Sequence, residues 1–235
     1  MFIFAGTVMG NGGIARRIVN LALIFVGQVR GGLGFVVIIS TMFFSGVCGS
    51  ASADTAAIGS TTMPEMLKRK YPPAFATALL AASGATASII PPSIDLIIIG
   101  IVSGISIGGL FAAGILPGVV NALALMALCY FYAIRLNLPV TESTNWNEKK
   151  AVFKDGVLAI LMPVIILGGI LGGVFTPTEA SAVAVIYGLV VSIFIYRELL
   201  WNQVPAILLQ SAKLTGIVML VPVSYTHLTL PTRSY

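Results

Sequence analysis

The residues of this chain that could do chemistry are mostly oxygen donors, and they fall in two short stretches. The first is residues 45–60, SGVCGSASADTAAIGS, in which thirteen of sixteen residues are Gly, Ala, Ser, Thr or Cys. It offers the hydroxyls of Ser45, Ser50, Ser52 and Thr55, the flexible Gly49 and one acid, Asp54. The second is Ile90-Pro91-Pro92-Ser93, which adds Ser93 and a backbone that neither proline lets continue as a regular helix. Carbonyls freed at Gly49 and Pro91, together with hydroxyls and a carboxylate, are ligands for a small hard cation such as sodium. Asp54 has a second reading, as a cap on the helix that follows. Ser88 and Asp95 flank the proline break and are weaker candidates for a substrate cavity, with Asp95 read first as a cap on the helix it begins. Thr176-Pro177-Thr178-Glu179 has the spacing of a capping box, a structural device.

Catalytic groups are scarce. The one histidine, His227, lies near the C-terminus, so the apolar part of the chain contains no Ser–His pair. It also contains no HExxH, CxxC or P-loop pattern. An enzyme is not expected, and no cofactor is expected beyond sodium as a coupling ion.

The elements that must position these residues are membrane helices. Of 235 residues, 57% are hydrophobic and 9% charged, against about 25% charged in soluble domains. Mean hydropathy is +1.02. Residues 112–134, 157–175 and 180–196 approach the ~20 apolar residues that span a bilayer. The net charge of +5 comes from Lys and Arg placed between apolar runs, a pattern that encodes orientation rather than nucleic-acid binding. It places Arg16, Arg17, Arg30, Lys68–Lys70, Arg135, Lys149, Lys150, Lys154 and Arg197 in the cytoplasm.

Arg30 and Lys68 must then share a side, yet residues 31–67 are too few for two full spans and a turn. The fold class expected is therefore all-α and polytopic, with a re-entrant hairpin over about 31–67 that unwinds at 45–54. The alternative is two short tilted spans. Residues 74–104 are expected to form one helix broken by the prolines, with an outward turn at 104–109 and a cytoplasmic loop at about 136–156. Residues 198–213 read as an interfacial amphipathic segment before a new apolar run at Leu214. Gly168, Gly169, Gly172 and Gly173 form small-xxx-small pairs suited to close helix packing. Cys48 and Cys129 read as buried, unpaired thiols. Residues 1–222 are expected to be a fragment that opens inside a helix, and 223–235, polar and unlike what precedes them, to be a non-native tail.

These motifs also resemble a family. NGGIARRIV at 11–19, the Gly46–Asp54 stretch continuing TAAIGS, IIPPSI at 89–94, SGISIGGLFAAGILPG at 103–118 and GGVFTPTEASAVAVIYGL at 172–189 are similar to the large permease subunit of TRAP transporters, of the C4-dicarboxylate or sialic acid type. The resemblance runs through nearly all of residues 1–221. It implies a sodium-coupled, binding-protein-dependent importer of small organic anions in the bacterial inner membrane. Its implied partners are a small membrane subunit and an extracytoplasmic solute-binding protein. It also implies an elevator mechanism, with this chain holding the first of two inverted repeats. The sodium site would then map onto residues 45–55 and 89–93. Three readings stand beside it: a sodium/carboxylate symporter that needs no binding protein, a membrane scaffold that transports nothing, and an intramembrane hydrolase using Ser50 or Asp54, which would lack its second catalytic group.

Overall fold

The computed structural model describes residues 1–139 and 146–229, with side chains at 1–139 and 148–220. Among the described residues the regular secondary structure is all helical, with no strand. The helices are α1 (Phe2–Asn11), α2 (Ile14–Val26), α3 (Gly32–Cys48), α4 (Ala51–Lys68), α5 (Pro73–Ala87), α6 (Ile94–Ser103), α7 (Ile107–Arg135), α8 (Trp146–Leu171), α9 (Pro177–Val190) and α10 (Val204–Thr229). A π-helical turn, Val191–Ile195, extends α9.

Among the described residues, four stretches are long and apolar enough to cross a membrane: Ile107–Arg135, Glu148–Leu171, Pro177–Ile195 and Trp201–Leu220. Around them stand shorter apolar helices, among them Gly32–Cys48, Pro73–Ala87 and Ile94–Ser103. The protein is an all-helical polytopic membrane protein.

Length separates the two groups. At 1.5 Å per residue, α3 is about 25 Å long, α5 about 22 Å and α6 about 15 Å, each short of a ~30 Å hydrocarbon core. α3 and α4 form a helical hairpin whose arms also pack on α5. α5 and α6 are the two arms of an interrupted helix, with residues 88–93 between them. α2 is amphipathic: it buries Ile14, Ile18, Leu21 and Ala22 against α3 and α8 and turns Arg16 and Asn20 outward. The core runs through Met9, Ile38, Phe44, Ile58, Phe111 and Met162, all fully buried. Cys48 and Cys129 are buried and unpaired.

Several boundaries differ from those expected. The hairpin tip is only Gly49-Ser50, and Ser45, Ser52, Asp54 and Thr55 stand on helices. Small residues favour a loop in water, but here packing against neighbouring helices satisfies them in helical form. The turn after α6 contracts to residues 104–106, with Gly104 left-handed and Ser106 capping α7 through its hydroxyl. α8 already begins at Trp146, so the polar residues up to Asp155 are its first turns; residues 140–145 lie outside those described. No interfacial segment ends at Lys213: α10 runs unbroken through it. The expected non-native tail, 223–235, falls beyond the described side chains, although helical backbone reaches Thr229.

Among the described residues, the glycines at 168–173 meet no neighbouring helix. A methyl group on Gly168 or Gly173 would meet open space, and the Phe175 ring folds back over Gly169. The close-packing pair is instead Gly114 and Gly118 of α7, which lie against the Ile89 carbonyl and the Ile90 side chain at the break in the α5–α6 helix.

Candidate functional site

Two interrupted helices meet at one point. Gly49 ends α3 in the left-handed conformation, φ 62°, and its N–H donates to the Ser45 carbonyl at 2.9 Å. The Gly49 carbonyl, turned out of the helix, accepts the Ile94 N–H at 3.1 Å. The hairpin tip is thereby bonded to the first residue of α6. A side chain at Gly49 would run into Pro92 O and the Ser93 backbone, so glycine is required both by φ and by the close approach. From the other direction, the Ser45 hydroxyl donates to the Ala87 carbonyl at 2.5 Å, joining α3 to the end of α5.

The junction therefore gathers the C-terminal ends of α3 and α5 and the N-terminal ends of α4 and α6. Helix C-termini present carbonyls and negative potential, and N-termini present N–H groups and positive potential. Broken helices meeting in this way can hold a cation and an anion side by side.

Asp54 sits in the first turn of α4, wholly buried. Neither carboxyl oxygen has a hydrogen-bond partner among the described residues. Cys48 and Ser45 interact with the carboxyl, but the Ser45 proton is already committed to Ala87 and a thiol is a weak donor. Ser50 holds the N-cap position of α4 with no side-chain hydrogen bond capping it, and Asp54 is the acid of its first turn. Ser93 holds the N-cap position of α6 and is also fully buried, with its hydroxyl unpartnered. Two orphaned oxygen groups thus lie at the two N-termini that the Gly49–Ile94 bond ties together. Burying an unpaired polar group is costly, and burying an unpaired charge far more so. An oxygen-seeking cation fits this donor set. Among the described residues no group of three His, Cys, Asp or Glu side chains forms a transition-metal cluster.

The remaining expected donors divide. Ser50 and Ser52 face outward, their hydroxyls 3.3 Å apart, with Ser52 exposed. Thr55 turns away: its hydroxyl donates to Ala51 O at 2.6 Å and fills the space above Gly84. Pro91 is buried beside Gly46. Ser88 is half-buried at the end of α5, and Asp95 stands exposed on the first turn of α6. Thr176 and Glu179 are remote and form a capping box, with Glu179 accepting the Thr176 N–H at 2.8 Å and Thr176 accepting the Glu179 N–H at 3.3 Å.

Asn121, not singled out from sequence, also belongs to this region. From α7 it donates to the Thr86 hydroxyl at 3.0 Å, bracing the last turn of α5. A lone amide inside the apolar run 112–134 was the available signal.

The family model described as "Tripartite ATP-independent periplasmic transporter, DctM component" covers residues 1–227. The 2,3-diketo-L-gulonate TRAP transporter large permease protein YiaN of Escherichia coli (strain K12) is 44% identical over 223 residues, 95% of this chain and 52% of YiaN. The C4-dicarboxylate TRAP transporter large permease protein DctM of Pseudomonas aeruginosa is 38% identical over 94% of this chain and 52% of its own length. The ectoine/5-hydroxyectoine TRAP transporter large permease protein UehC of Ruegeria pomeroyi is 40% identical over 93% of this chain and 50% of its own length. The chain spans about half the length of the curated relatives it matches. A buried oxygen site built where a helical hairpin meets a broken helix thus sits in a chain that belongs to the DctM component family of tripartite ATP-independent periplasmic transporters, a family of membrane permeases and not of enzymes.

Proposed function

We propose that this chain forms the first repeat of a permease that imports a small organic anion by sodium symport. The observation that carries the reading is Asp54, a fully buried carboxyl that, among the described residues, has beside it the Cys48 thiol and a Ser45 hydroxyl already committed to Ala87. Sodium held by Asp54 and Ser93 would complete their coordination. The N-termini of α4 and α6 would face a substrate carboxylate, and bound sodium would supply further positive charge beside it. Coupling follows from electrostatics: an anion entering a dry cavity is stabilised once the cation is in place, and the cation once the anion is.

The named substrates of the relatives, a diketogulonate, C4-dicarboxylates and ectoines, support a small polar carboxylate as cargo. Binding would close the junction, and the helices that carry it would then move across the membrane against the others in an elevator-like step. The family assignment supports a small membrane subunit and an extracytoplasmic solute-binding protein as partners, and the bacterial inner membrane as location.

The test is uptake by the full-length permease containing this chain, reconstituted in proteoliposomes with its small subunit and binding protein. Sodium-driven uptake that disappears in Asp54→Asn is the expected result. Uptake driven equally by potassium or by a proton gradient would overturn sodium coupling. Uptake without the binding protein would instead identify a binding-protein-independent symporter.

A further inference from the structure

The Asp54 carboxyl has a neighbour that is not an oxygen donor. Cys48 is the last residue of α3, and the short tip Gly49-Ser50 returns the chain directly into α4. The turn brings the Cys48 thiol to the Asp54 carboxyl, and the two interact. The thiol is unpaired and 2% exposed. It is also packed against α1: a methyl group placed on Gly6 would fall 2.5 Å from the Cys48 sulfur and 2.7 Å from its Cα. Bare backbone at Gly6 is what lets α1 close over the sulfur. The hairpin tip is thus held by α1 as well as by the Gly49–Ile94 bond to the broken helix.

Protons around the carboxyl are already divided. Of the two side chains that interact with Asp54, Ser45 gives its proton to the Ala87 carbonyl. The Ser50 backbone N–H donates toward the Cys48 sulfur, which leaves the thiol proton for the carboxyl. No full hydrogen bond to either Asp54 oxygen is completed among the described residues, so the thiol is a weak and displaceable donor. Nor does sulfur compete for the ion. Sodium is hard and takes carboxylate, hydroxyl and carbonyl oxygens, whereas sulfur ligands suit softer metals.

On the sodium reading proposed above, we infer that Cys48 is a positioning residue of the ion site: its thiol holds the Asp54 carboxylate while the site is empty and yields it when sodium arrives. A contact made in the empty site and lost in the loaded one lowers ion affinity, because a ligand binds by the difference between the two states. Cys48 thereby sets how readily the ion leaves, without being a ligand. Release matters to a carrier as much as capture.

The experiment uses the purified 235-residue chain in mild detergent. The thiol S–H stretch is read by infrared difference spectroscopy in sodium against an equal concentration of potassium. Cys129, whose sulfur lies 3.9 Å from the Gly31 carbonyl oxygen, supplies a band that stays in place, and the Cys48 band is the one missing from Cys48→Ala. The Cys48 band is expected to move to higher frequency as sodium frees the thiol from the carboxylate. In parallel, Cys48→Ala should bind sodium roughly five-fold more tightly than wild type in a thermal-shift titration, the worth of one weak hydrogen bond. A cysteine that only fills space would lower melting in both salts and leave the sodium Kd unchanged, which would overturn the inference. So would an S–H band that sodium does not move, a readout on the wild-type chain that does not depend on how the variant folds. Weaker sodium binding in Cys48→Ala would overturn it too, by making the sulfur a ligand. In each of these cases a wild-type chain that melts higher in sodium than in potassium keeps the sodium reading. Absence of that increment in the wild-type chain would overturn the sodium reading and this inference with it.

Discussion

Asp54 is the residue on which the ion reading turns, and it can be tested without transport. A buried carboxylate with no partner opposes folding until a cation joins it. The chain is therefore expected to melt at a higher temperature in sodium than in an equal concentration of potassium. The increment grows as RT ln(1 + [Na⁺]/Kd), about 2.7 kcal/mol at a hundredfold excess over Kd. Asp54→Asn should abolish the sodium increment while leaving the sodium-free protein as stable as wild type or more so, because the unpaired charge is gone. Ser93→Ala should weaken apparent sodium affinity by roughly ten-fold. Equal melting in both salts would remove the site. Gly49 makes a separate demand. Gly49→Ala places a side chain at φ 62° and against Pro92 O, and should destabilise the chain by about 1–3 kcal/mol, read by denaturant or thermal melts.

Among elements, α7 decides how the broken helix is seated. Gly114 and Gly118 leave room for residues 89–90, and Asn121 pins the last turn of α5. Gly118→Leu is expected to cost about 1–3 kcal/mol through overpacking against Ile90. Gly168→Ala, which points into open space, should be neutral or stabilise slightly, since alanine is the better helix former by about 1 kcal/mol. Equal effects of the two substitutions would contradict this assignment of the close-packing glycines. At the start of α9 the capping box satisfies backbone N–H groups that no carbonyl reaches. Thr176→Ala is expected to lower stability by about 0.5–2 kcal/mol without changing sodium dependence.

Across the whole molecule, the basic end is tied together by one guanidinium. Arg17 bonds Asp155 at 2.9 Å and Glu198 at 2.7 Å and stacks on the Tyr196 ring at 3.6 Å. Arg16 joins Glu198 at 2.7 Å. Partial burial works against the Arg17 charge, but the hydrogen bonds to Glu198 and Asp155 outweigh it and hold the pKa above its ordinary value. Three stretches distant in sequence, α2, α8 and residues 196–199, are thereby locked at one end of the bundle. Arg17→Gln should lower thermal stability by about 1–2 kcal/mol, more at low than at high salt. Arg17→Lys should restore only part of it, because an ammonium cannot bridge two carboxylates and stack on a ring at once. Full rescue by lysine would show that charge alone matters.

Hydropathy, the spacing of basic residues and the Pro91-Pro92 pair were enough to read an all-helical membrane protein with a hairpin and a broken helix, because each is a local property of the chain. The capping box at Thr176 was legible for the same reason: all its bonds close within four residues. Which hydroxyls face the junction was not legible. Ser45, Ser50, Ser52, Thr55 and Ser93 are chemically near-equivalent in the sequence, and only helix phase and neighbours separate them. Packing turned Thr55 into the gap above Gly84, left Ser52 exposed, and buried Asp54 and Ser93 without partners. The same holds for the glycines, whose pattern is equally good in α7 and α8 but is used only where a backbone comes within reach. Local sequence determined which segments are helices and where they break. Contacts between residues far apart in the chain, Gly49 with Ile94 and Ser45 with Ala87, decided where those breaks meet, and so where a cation could bind.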